Sequence, residues 1–313
     1  MKQLIITGDD FGYSRTVNDA IIRACREGIL TSASLMPCGF DFEYAAKLAR
    51  QTPALSIGIH LCLLQGRAVL PHKEIPALTD ADGNLHNNPF CFGLKLFFVP
   101  GIRQQIEREL RAQMAKFLAT GLRPFHINTH MHLHAHPVVF PIVAQLGHEH
   151  GIRFLRVPRE DLYSHLLIDR RSFARKLVRG LFFRALSIGL QAKIERAGFQ
   201  SPHALYGLLQ SGHLDEMYLT KVLQHLDDGV TEIYFHPGAD GDPVLQRWQP
   251  DYNHAAETAA LLSPRLKELI CQLNLRLARF EDVIQPEDEG LSEGPAVSKG
   301  AISIPATLKQ DIR

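Results

Sequence analysis

This sequence lacks the features that mark membrane-spanning, disulfide-bonded and nucleic-acid-binding proteins. No apolar run approaches the ~20 residues that span a bilayer. The five cysteines are an odd number without a C-x-x-C pair, which is typical of reduced thiols in a cytosolic protein. Lys and Arg (34) nearly equal Asp and Glu (33), so there is no electrostatic reason to expect nucleic acid as a partner. The N-terminus runs straight into a predicted strand without a cleavage site, and we expect a cytoplasmic protein.

What the chain does contain is an alternation of short apolar runs with helical patterns. The runs predict strands at Leu4–Thr7, Ala33–Met36, Leu55–Leu63, Phe125–Thr129, Phe154–Val157 and Glu232–His236. The helical patterns lie at Val17–Glu27, Asp41–Arg50, Ile102–Thr120, Pro137–His150, Leu214–Asp227, Ala255–Leu262 and Pro264–Leu273. Repeated strand–helix units predict an α/β fold with parallel strands, in a closed barrel or an open sheet.

Two regions interrupt this alternation. Residues 64–101 form a long stretch with several Pro, Gly and Asn residues, so we expect an excursion on the active-site side rather than core. After about Gln285 the composition turns acidic and then rich in Gly, Ser and Pro, without periodicity. We therefore predict one domain over residues 1–285 and a disordered tail over 286–313.

Residues 126–136 contain five of the sixteen histidines. Alternate residues of a strand share a face, and neutral imidazole is a common metal ligand. We expect the five rings to point toward one pocket; they are His126, His130, His132, His134 and His136. The alternative is a solvated histidine-rich tract, which the interleaved apolar residues disfavour.

Polar residues recur at the predicted carboxyl ends of strands, where α/β proteins place their reactive groups. They are Asp9, Asp10, His60, His130 and His236. Taken singly, Asp10 could cap a helix and His60 could be a core histidine. Taken together, a carboxylate and two imidazoles leave coordination positions open on a divalent metal, which a catalytic site requires.

Such a metal polarises a carbonyl and acidifies water, while a neighbouring Asp accepts a proton and a His donates one to a leaving amine. The set therefore predicts metal-assisted hydrolysis of an amide. Because it is also a two-His-one-carboxylate set, an Fe(II) oxygenase stays an alternative. A protein that binds metal or ligand without catalysis is another.

The chain resembles the YdjC-like carbohydrate deacetylase family over residues 3–284. The resemblance is carried by Asp9-Asp10-Phe11-Gly12 with Ser14 and Asn18, Gly58-Ile59-His60-Leu61, His126-Ile127-Asn128-Thr129-His130 and His236-Pro237-Gly238. It implies a distorted (β/α) barrel related to polysaccharide deacetylases, with a divalent metal that serves removal of N-acetyl groups from sugars. By that resemblance Asp10, His60 and His130 are metal ligands, Asp9 is the general base and His236 the general acid. The donors leave the metal's identity open, and we expect Mg²⁺ or Zn²⁺.

One branch of the family, associated with hopanoid biosynthesis, is more similar. The shared pieces are Gln65-Gly66-Arg67-Ala68-Val69-Leu70-Pro71, Asn128 where many relatives have Asp, Ser211-Gly212-His213 and Pro250-Asp251-Tyr252-Asn253-His254. The resemblance implies deacetylation of an N-acetylglucosaminyl group on a bacteriohopanetetrol side chain. Alternatives are a deacetylase of soluble chitin-type oligosaccharides and a non-catalytic hopanoid-binding protein. Candidate substrate contacts are His132, His134, Arg67, His213 and Tyr252.

Two apolar segments agree with a lipid-linked amino-sugar substrate. Residues 170–196 predict a basic amphipathic helix, which suits peripheral contact with the inner face of an anionic membrane. Residues 90–98 are almost wholly apolar and could line a path for the substrate. The alternative for both is packing in the core or at a subunit interface, and a homodimer is common on base rates.

Overall fold

The computed structural model of the chain describes residues 1–162, 165 and 173–283. The strands in these ranges all pair in parallel. They are β1 (Lys2–Phe11), β2 (Ser32–Leu35), β3 (Ser56–Leu61), β4 (His126–Thr129), β5 (Phe154–Leu155), β6 (Ala204–Tyr206), β7 (Gly229–Phe235) and β8 (Arg276–Leu277). The sequence patterns missed β6 and β8, which are short, and placed the others to within a few residues.

The sheet curls into a distorted barrel, as the resemblance implied. Its strand order is β5-β4-β3-β2-β1-β7-β6, and β8 pairs with the start of β1. A bridge from Phe154 to Gln200 joins β5 to the segment before β6. There the Leu155 amide donates to the Gln200 carbonyl at 3.0 Å, and the Gln200 amide to the Arg153 carbonyl at 2.8 Å. The two sheet edges are therefore connected by only a short ladder.

Helices connect and cover the strands. They are α1 (Arg15–Glu27), α2 (Phe42–Arg50), α3 (Pro89–Phe98), α4 (Ile102–Leu118), α5 (Phe140–Glu149), α6 (Phe173–Ser187), α7 (Leu190–Arg196), α8 (Glu216–Gln224), α9 (Pro243–Trp248), α10 (His254–Leu261) and α11 (Pro264–Gln272). The cap of α1 is Ser14, whose hydroxyl accepts from the Val17 amide. Asp10 is therefore not the cap of this helix and is available for another role.

The two faces of the sheet differ in polarity. Leu4 and Ile6 of β1 belong to the large hydrophobic cluster that the sheet forms with the helices. The alternate side chains face the barrel interior, where Thr7 donates to Glu232 at 2.9 Å and Ser34 to Asp9 at 2.8 Å. Apolar burial thus stabilises the outside of the sheet, while its inside carries a polar network.

The expectation for residues 64–101 was wrong in one respect. The segment does reach the site through Gln65, but it is not separate from the core. It contains α3, and its apolar side chains at Ile75, Leu78, Phe92 and Leu96 are buried in the main cluster. Proline and glycine content indicated a loop, whereas the tertiary packing of these side chains makes it part of the domain.

Residues 1–283 form one compact unit. The predicted tail at 286–313 lies outside the described residues. Within the described part, no helix has the length and apolar content needed to cross a membrane. The basic segment at 170–196 is two helices, α6 and α7, rather than one, because Gly189 adopts φ 70° between them. Its first three residues lie outside the described ranges.

Gly58 of β3 provides a test of the interior packing. A Cβ at this position would overlap the ring of His126, which is held by Ser34 at 2.9 Å and stacked on Phe280 at 4.1 Å. We expect Gly58→Ala to destabilise the fold by about 1–3 kcal/mol, as overpacking does. The matched control is Gly93→Ala in α3, where nothing lies within 4 Å of the new Cβ, and stability should hold or rise. Urea unfolding measures both, and equal midpoints would contradict this packing.

Candidate functional site

Asp10, His60 and His130 converge at the carboxyl edge of the sheet. Oδ1 of Asp10 lies 2.9 Å from Nδ1 of His130 and 3.2 Å from Nε2 of His60. The two imidazole nitrogens are 3.4 Å apart, and all three side chains are buried. One donor atom from each lies within 4.8 Å of the others, which is the spacing of atoms that share an ion. These are the three residues that the resemblance implied as metal ligands, and their binding of a metal stays a prediction.

Backbone strain directs Asp10 into this cluster. The ladder between β1 and β2 shifts register between Gly8 and Phe11, and Asp10 adopts φ 62°, which a non-glycine residue rarely does. The amide of Gly12 donates to Oδ1 of the buried Asn18 at 2.7 Å, which fixes the turn. The bulge separates the two acidic side chains, so that Asp9 points into the barrel and Asp10 toward the imidazoles. Such strain persists where the surrounding contacts over-determine it.

Asn128 orients His60. Its amide lies 2.7 Å from Nδ1 of His60 and next to Ser34, Asp9 and Arg156. When Nδ2 of Asn128 donates to Nδ1 of His60, its Oδ1 accepts from Ser34 at 2.9 Å and from Arg156 at 3.1 and 3.2 Å, which gives both ends of the amide a partner. Ligation of a cation through Nε2 of His60 would require the proton on Nδ1 and the opposite orientation of the amide, in which Oδ1 accepts that proton at 2.7 Å. Asn128 can therefore hold the His60 ring in either tautomer.

Two glutamines hold the other two side chains of the cluster, His130 and Asp10. Oε1 of Gln65 lies 3.2 Å from Nε2 of His130, which leaves Nδ1 of that ring toward the cluster. Nε2 of Gln249 donates to Oδ2 of Asp10 at 2.7 Å. Each ligand thus has a polar partner on the side away from the shared position, as orienting groups around metals do.

The electrostatics of the cluster suit a cation. Burial raises the pKa of Asp10, but the neighbouring His130 and His60 outweigh it and lower that pKa well below its usual range. Burial lowers the pKa of His60 and His130, yet Asp10 and, for His60, Asp9 raise both above the usual value. The carboxylate thus favours positive charge at this position, which a divalent cation would supply when it displaces the imidazole protons.

Asp9 forms part of a buried ion network that the sequence patterns did not reveal. Arg156 donates to both oxygens of Asp9, at 2.5 and 3.1 Å, and to both oxygens of Glu232, at 3.2 and 2.7 Å. The guanidinium also lies 4.4 Å over the ring of Tyr234. Burial raises the pKa of Asp9, but the charges of Arg156 and His60 lower it below its usual range, so the carboxyl group is ionised.

His236 follows β7 at the edge beside Asp9. Its backbone amide donates to Oε2 of Glu257 at 2.5 Å, and its carbonyl accepts from Nδ1 of His254 at 2.7 Å. Burial lowers the pKa of His236 to about 4, while the charges of Asp10 and Asp9 oppose the shift. Among the described residues its buried Nδ1 has no hydrogen-bond partner. The backbone of His236 is therefore fixed, while the ring Nδ1 is buried without a partner among the described residues.

The prediction that five histidines share one strand face was wrong. The strand ends at Thr129, and residues 130–135 form a 3-10 segment in which Met131 and His132 adopt φ 55° and 56°. His126 lies deeper in the barrel, and the ring of His136 packs 4.6 Å from Phe97. Only His130 of the five reaches the cluster with Asp10 and His60. Strand periodicity could not anticipate a turn with positive φ at non-glycine residues.

His134 and His132 hold this turn in place. Nδ1 of His134 lies 2.8 Å from Oγ1 of Thr129, and Nε2 lies 2.8 Å from the Arg156 carbonyl. Nε2 of His132 lies 2.9 Å from the hydroxyl of Tyr234. His134 has no exposed surface and both of its nitrogens are engaged, so this geometry gives it a structural role. A contact of either ring with substrate stays a prediction.

The other predicted substrate contacts are more open. His213 and Tyr252 line one cavity with Lys176, Arg179, Leu209, Gln210, Ser211 and Asp251. The ring of Tyr252 lies 5.0 Å from that of His236, which connects this cavity to the site. Arg67 is exposed on the loop after β3. The structure thus brings His213 and Tyr252 together beside His236, and whether they bind substrate stays a prediction.

Some of the residues that the sequence analysis missed have a local sequence pattern that could have identified them. Arg156 follows the apolar Phe154–Leu155, so the strand-end rule that selected His60 applies to it as well. Glu232 alternates with apolar residues within β7. Gln249 follows α9 and nothing local marks it. Its role depends on a tertiary contact with a residue 239 positions away.

Neighbouring aspartates permit a matched test of the ligand assignment. Asp10→Asn removes the anionic donor, and we expect metal affinity to fall by more than the 10–100-fold that loss of an outer partner typically costs. Asp9→Asn makes the same change one residue earlier, outside the cluster, and should retain metal. Equilibrium dialysis with Zn²⁺ followed by metal analysis measures both. Equal affinities would contradict the assignment.

Arg156 provides a second test, of stability. Arg156→Met leaves Asp9 and Glu232 buried without their cation, and we expect a loss of about 3–5 kcal/mol in the free energy of unfolding at pH 7. The control is Arg111→Met, whose partly exposed ion pair with Glu149 at 2.6 Å is screened by solvent and should contribute less than about 1 kcal/mol.

The loss should depend on pH. In the native chain the lowered pKa of Asp9 contributes stability above the usual value of 3.8, and that contribution fades as pH falls through the folded-state pKa. In the Arg156→Met variant, burial raises the pKa of Asp9 instead, so Asp9 of the folded variant takes up a proton at higher pH. The difference between the two proteins should therefore be largest at pH 7 and shrink toward pH 4, as measured by urea unfolding. A constant difference would contradict the ionised state of Asp9.

Comparisons with known proteins agree with this geometry. The family model described as "YdjC-like protein" matches residues 3–272. A carbohydrate deacetylase of Brevibacillus brevis is 33% identical over 282 residues, covering 90% of this chain and 99% of that protein. A chitooligosaccharide deacetylase of Yersinia pestis is 33% identical over 289 residues, with the same coverage of 90% and 99%.

Among solved structures, a putative cellobiose-phosphate cleavage protein of Enterococcus faecalis superposes with a TM-score of 0.70 at 25% identity. That superposition covers 91% of this chain and 99% of the other. The match extends over the strands that carry the Asp10, His60 and His130 cluster, and this chain belongs to the YdjC-like protein family.

Proposed function

We propose that this chain is a metal-dependent carbohydrate deacetylase that hydrolyses the N-acetyl group of an amino sugar. The observation that carries the proposal is the buried cluster of Asp10, His60 and His130, with Asp9 and His236 at the ends of the paired strands β1 and β7. The relatives named carbohydrate deacetylase and chitooligosaccharide deacetylase, matched over nearly their whole length, support the same reaction class.

The three ligands would hold a divalent cation, and Gln249, Gln65 and Asn128 would orient them. When bound, the cation supplies electrophilic activation of the acetyl carbonyl and lowers the pKa of water toward neutrality. Two nitrogens and one oxygen suit Zn²⁺, and also Mg²⁺ where water completes the octahedron. The assay described below uses both metals.

Asp9 would accept the proton of the attacking water. Its bidentate pairing with Arg156 fixes the carboxylate and keeps it ionised at every working pH, although a low pKa makes it a weak base. That weakness is tolerable only because the water is itself acidified. Arg156 would therefore hold Asp9 in position and keep it negatively charged, without contacting the substrate.

His236 would donate a proton to the leaving nitrogen. Because its pKa is lowered to about 4, the free ring is neutral near pH 7, so the proton that it delivers to the amine would be the one that Asp9 has accepted from water and passed on. The O–H bond of water and the C–N bond of the amide break, and acetate and an amine form.

For the substrate we propose an N-acetylglucosaminyl group on a hopanoid side chain. The supporting features are the motif residues around Gln65 and Tyr252 and the exposed apolar side chains of α3 and α6, two helices that contact the turn bearing His130. A soluble chitin-type oligosaccharide is the second candidate, and the name of the Yersinia relative favours it. Sequestration without hydrolysis and Fe(II)-dependent oxidation have no such support.

Acetate release distinguishes these candidates. Purified protein loaded with Zn²⁺ or Mg²⁺ is assayed on an N-acetylglucosaminyl hopanoid and on chitotriose. We expect kcat/KM for the lipid-linked substrate to exceed that for the soluble one by tenfold or more. The reverse ratio would assign the chitin-type substrate, binding without acetate would contradict the enzyme, and loss of activity without oxygen would indicate an oxygenase.

Asp9→Asn tests the proposed base. We expect it to keep metal and to lose about 10²–10⁴-fold in kcat, the range that general base catalysis contributes. Asp242→Asn is a control, because Asp242 caps α9 and pairs with Thr16 outside the cluster. It should keep most activity. Near-full deacetylation by Asp9→Asn would show that the base is another group.

A further inference from the structure

Helix α6 exposes an apolar face. Its exposed large hydrophobic side chains are Val178, Leu181 and Phe182, and Ile188 follows directly after the helix. Each of the four is between 53% and 76% exposed. Positions three and four apart lie on the same side of a helix, so these side chains form one continuous stripe. Phe183 on the other side packs inward, on a cluster that includes Tyr234. The helix is therefore anchored on one side and apolar toward solvent on the other.

Helix α3 repeats this arrangement. Phe92 and Leu96 are buried in the core, while the large side chains on the opposite side are between 46% and 77% exposed. These are Phe90, Leu94, Phe97 and Phe98, again at helical spacing. A soluble surface does not usually carry so many large apolar groups together.

Both helices contact the same turn. The ring of Phe97 lies 4.6 Å from that of His136, and the ring of Phe183 lies 5.7 Å from that of His132. This turn, residues 130–136, begins with the metal-ligand candidate His130. The two helices therefore both reach the rim of the site.

The charged side chains of the two helices themselves are all basic. Residues 170–194 contain seven Arg and Lys and no Asp or Glu, and α3 contains no acidic residue. In the described part, Arg184 and Lys193 are exposed along the first segment and Arg103 just after α3, whereas Lys176 is buried and Arg179 is half-buried, both lining the cavity beside Tyr252. A twofold contact between copies would bring each basic patch against itself, which like charges oppose. An anionic surface instead complements both the charge and the apolar stripes.

We propose that α3 and α6 dock on the surface of an anionic lipid bilayer, with the apolar stripes at the headgroup boundary and the basic residues on lipid phosphates. This docking follows from exposure and charge, and it does not depend on the deacetylase assignment. It would place the rim of the site at the membrane interface, where the sugar of a lipid-linked substrate is presented.

The test is co-sedimentation of the full chain with vesicles. Phosphatidylcholine vesicles with 30% phosphatidylglycerol should bind the protein at least about tenfold more tightly than pure phosphatidylcholine, and 0.5 M NaCl should reduce that binding. The variants Leu181→Ser/Phe182→Ser and Phe97→Ser/Phe98→Ser should each weaken binding at least about tenfold. Met217→Ser removes an exposed apolar side chain from α8 and should change nothing.

Circular dichroism confirms that each variant is folded, and sedimentation velocity gives the oligomeric state. The proposal is overturned if the native chain does not bind anionic vesicles, or if the two double variants bind them as well as Met217→Ser does. It is equally overturned if the native chain is a dimer that does not bind vesicles and becomes monomeric in the double variants, because a second copy then covers these faces. Acetate release is measured separately, so failure of docking and failure of the deacetylase assignment are distinguishable.

Discussion

A guanidinium buried between two carboxylates is the constraint on which the interior of this barrel depends. Arg156 connects Asp9 of β1 to Glu232 of β7 inside the sheet, and Thr7 completes the coordination of Glu232. A buried ion set of this kind adds little net stability, since desolvation offsets most of the attraction, but removing one member is costly. The network therefore fixes the direction of Asp9 more than it strengthens the fold. That direction separates Asp9 from Asp10 and gives two adjacent carboxylates different environments.

The cluster of Asp10, His60 and His130 is assembled from strand ends that parallel pairing brings to one edge. Each side chain of the cluster is held by its neighbours in the cluster and by an amide group of Gln249, Asn128 or Gln65. Because these partners come from different loops, the site is rigid only when the whole barrel is folded. At the rim of the site, the exposed faces of α3 and α6 are apolar, whereas the interior of the barrel is polar.

The sequence allowed most of the regular elements, and the three residues of the Asp10, His60 and His130 cluster, to be predicted for local reasons. Apolar runs identify strands, and a single polar residue at the end of such a run, as at His60, identifies a position at the reactive edge. The same reasoning was wrong for residues 130–136, because the strand periodicity was extended past Thr129 into a turn with positive φ at Met131 and His132. It also treated residues 64–101 as peripheral, although Phe92 and Leu96 belong to the core.

What the sequence by itself determined is the α/β class, the family, and the identity of the groups that can bind a metal, because each depends on side-chain type and short-range spacing. The tertiary structure decided which of those groups meet: His130 but not His134, with Gln249 as a partner that no local pattern marks. The physical reason is that hydrogen bonds and ion pairs depend on distances of about 3 Å between atoms of remote segments. Curling the sheet fixes those distances, and periodicity along one strand carries no information about them.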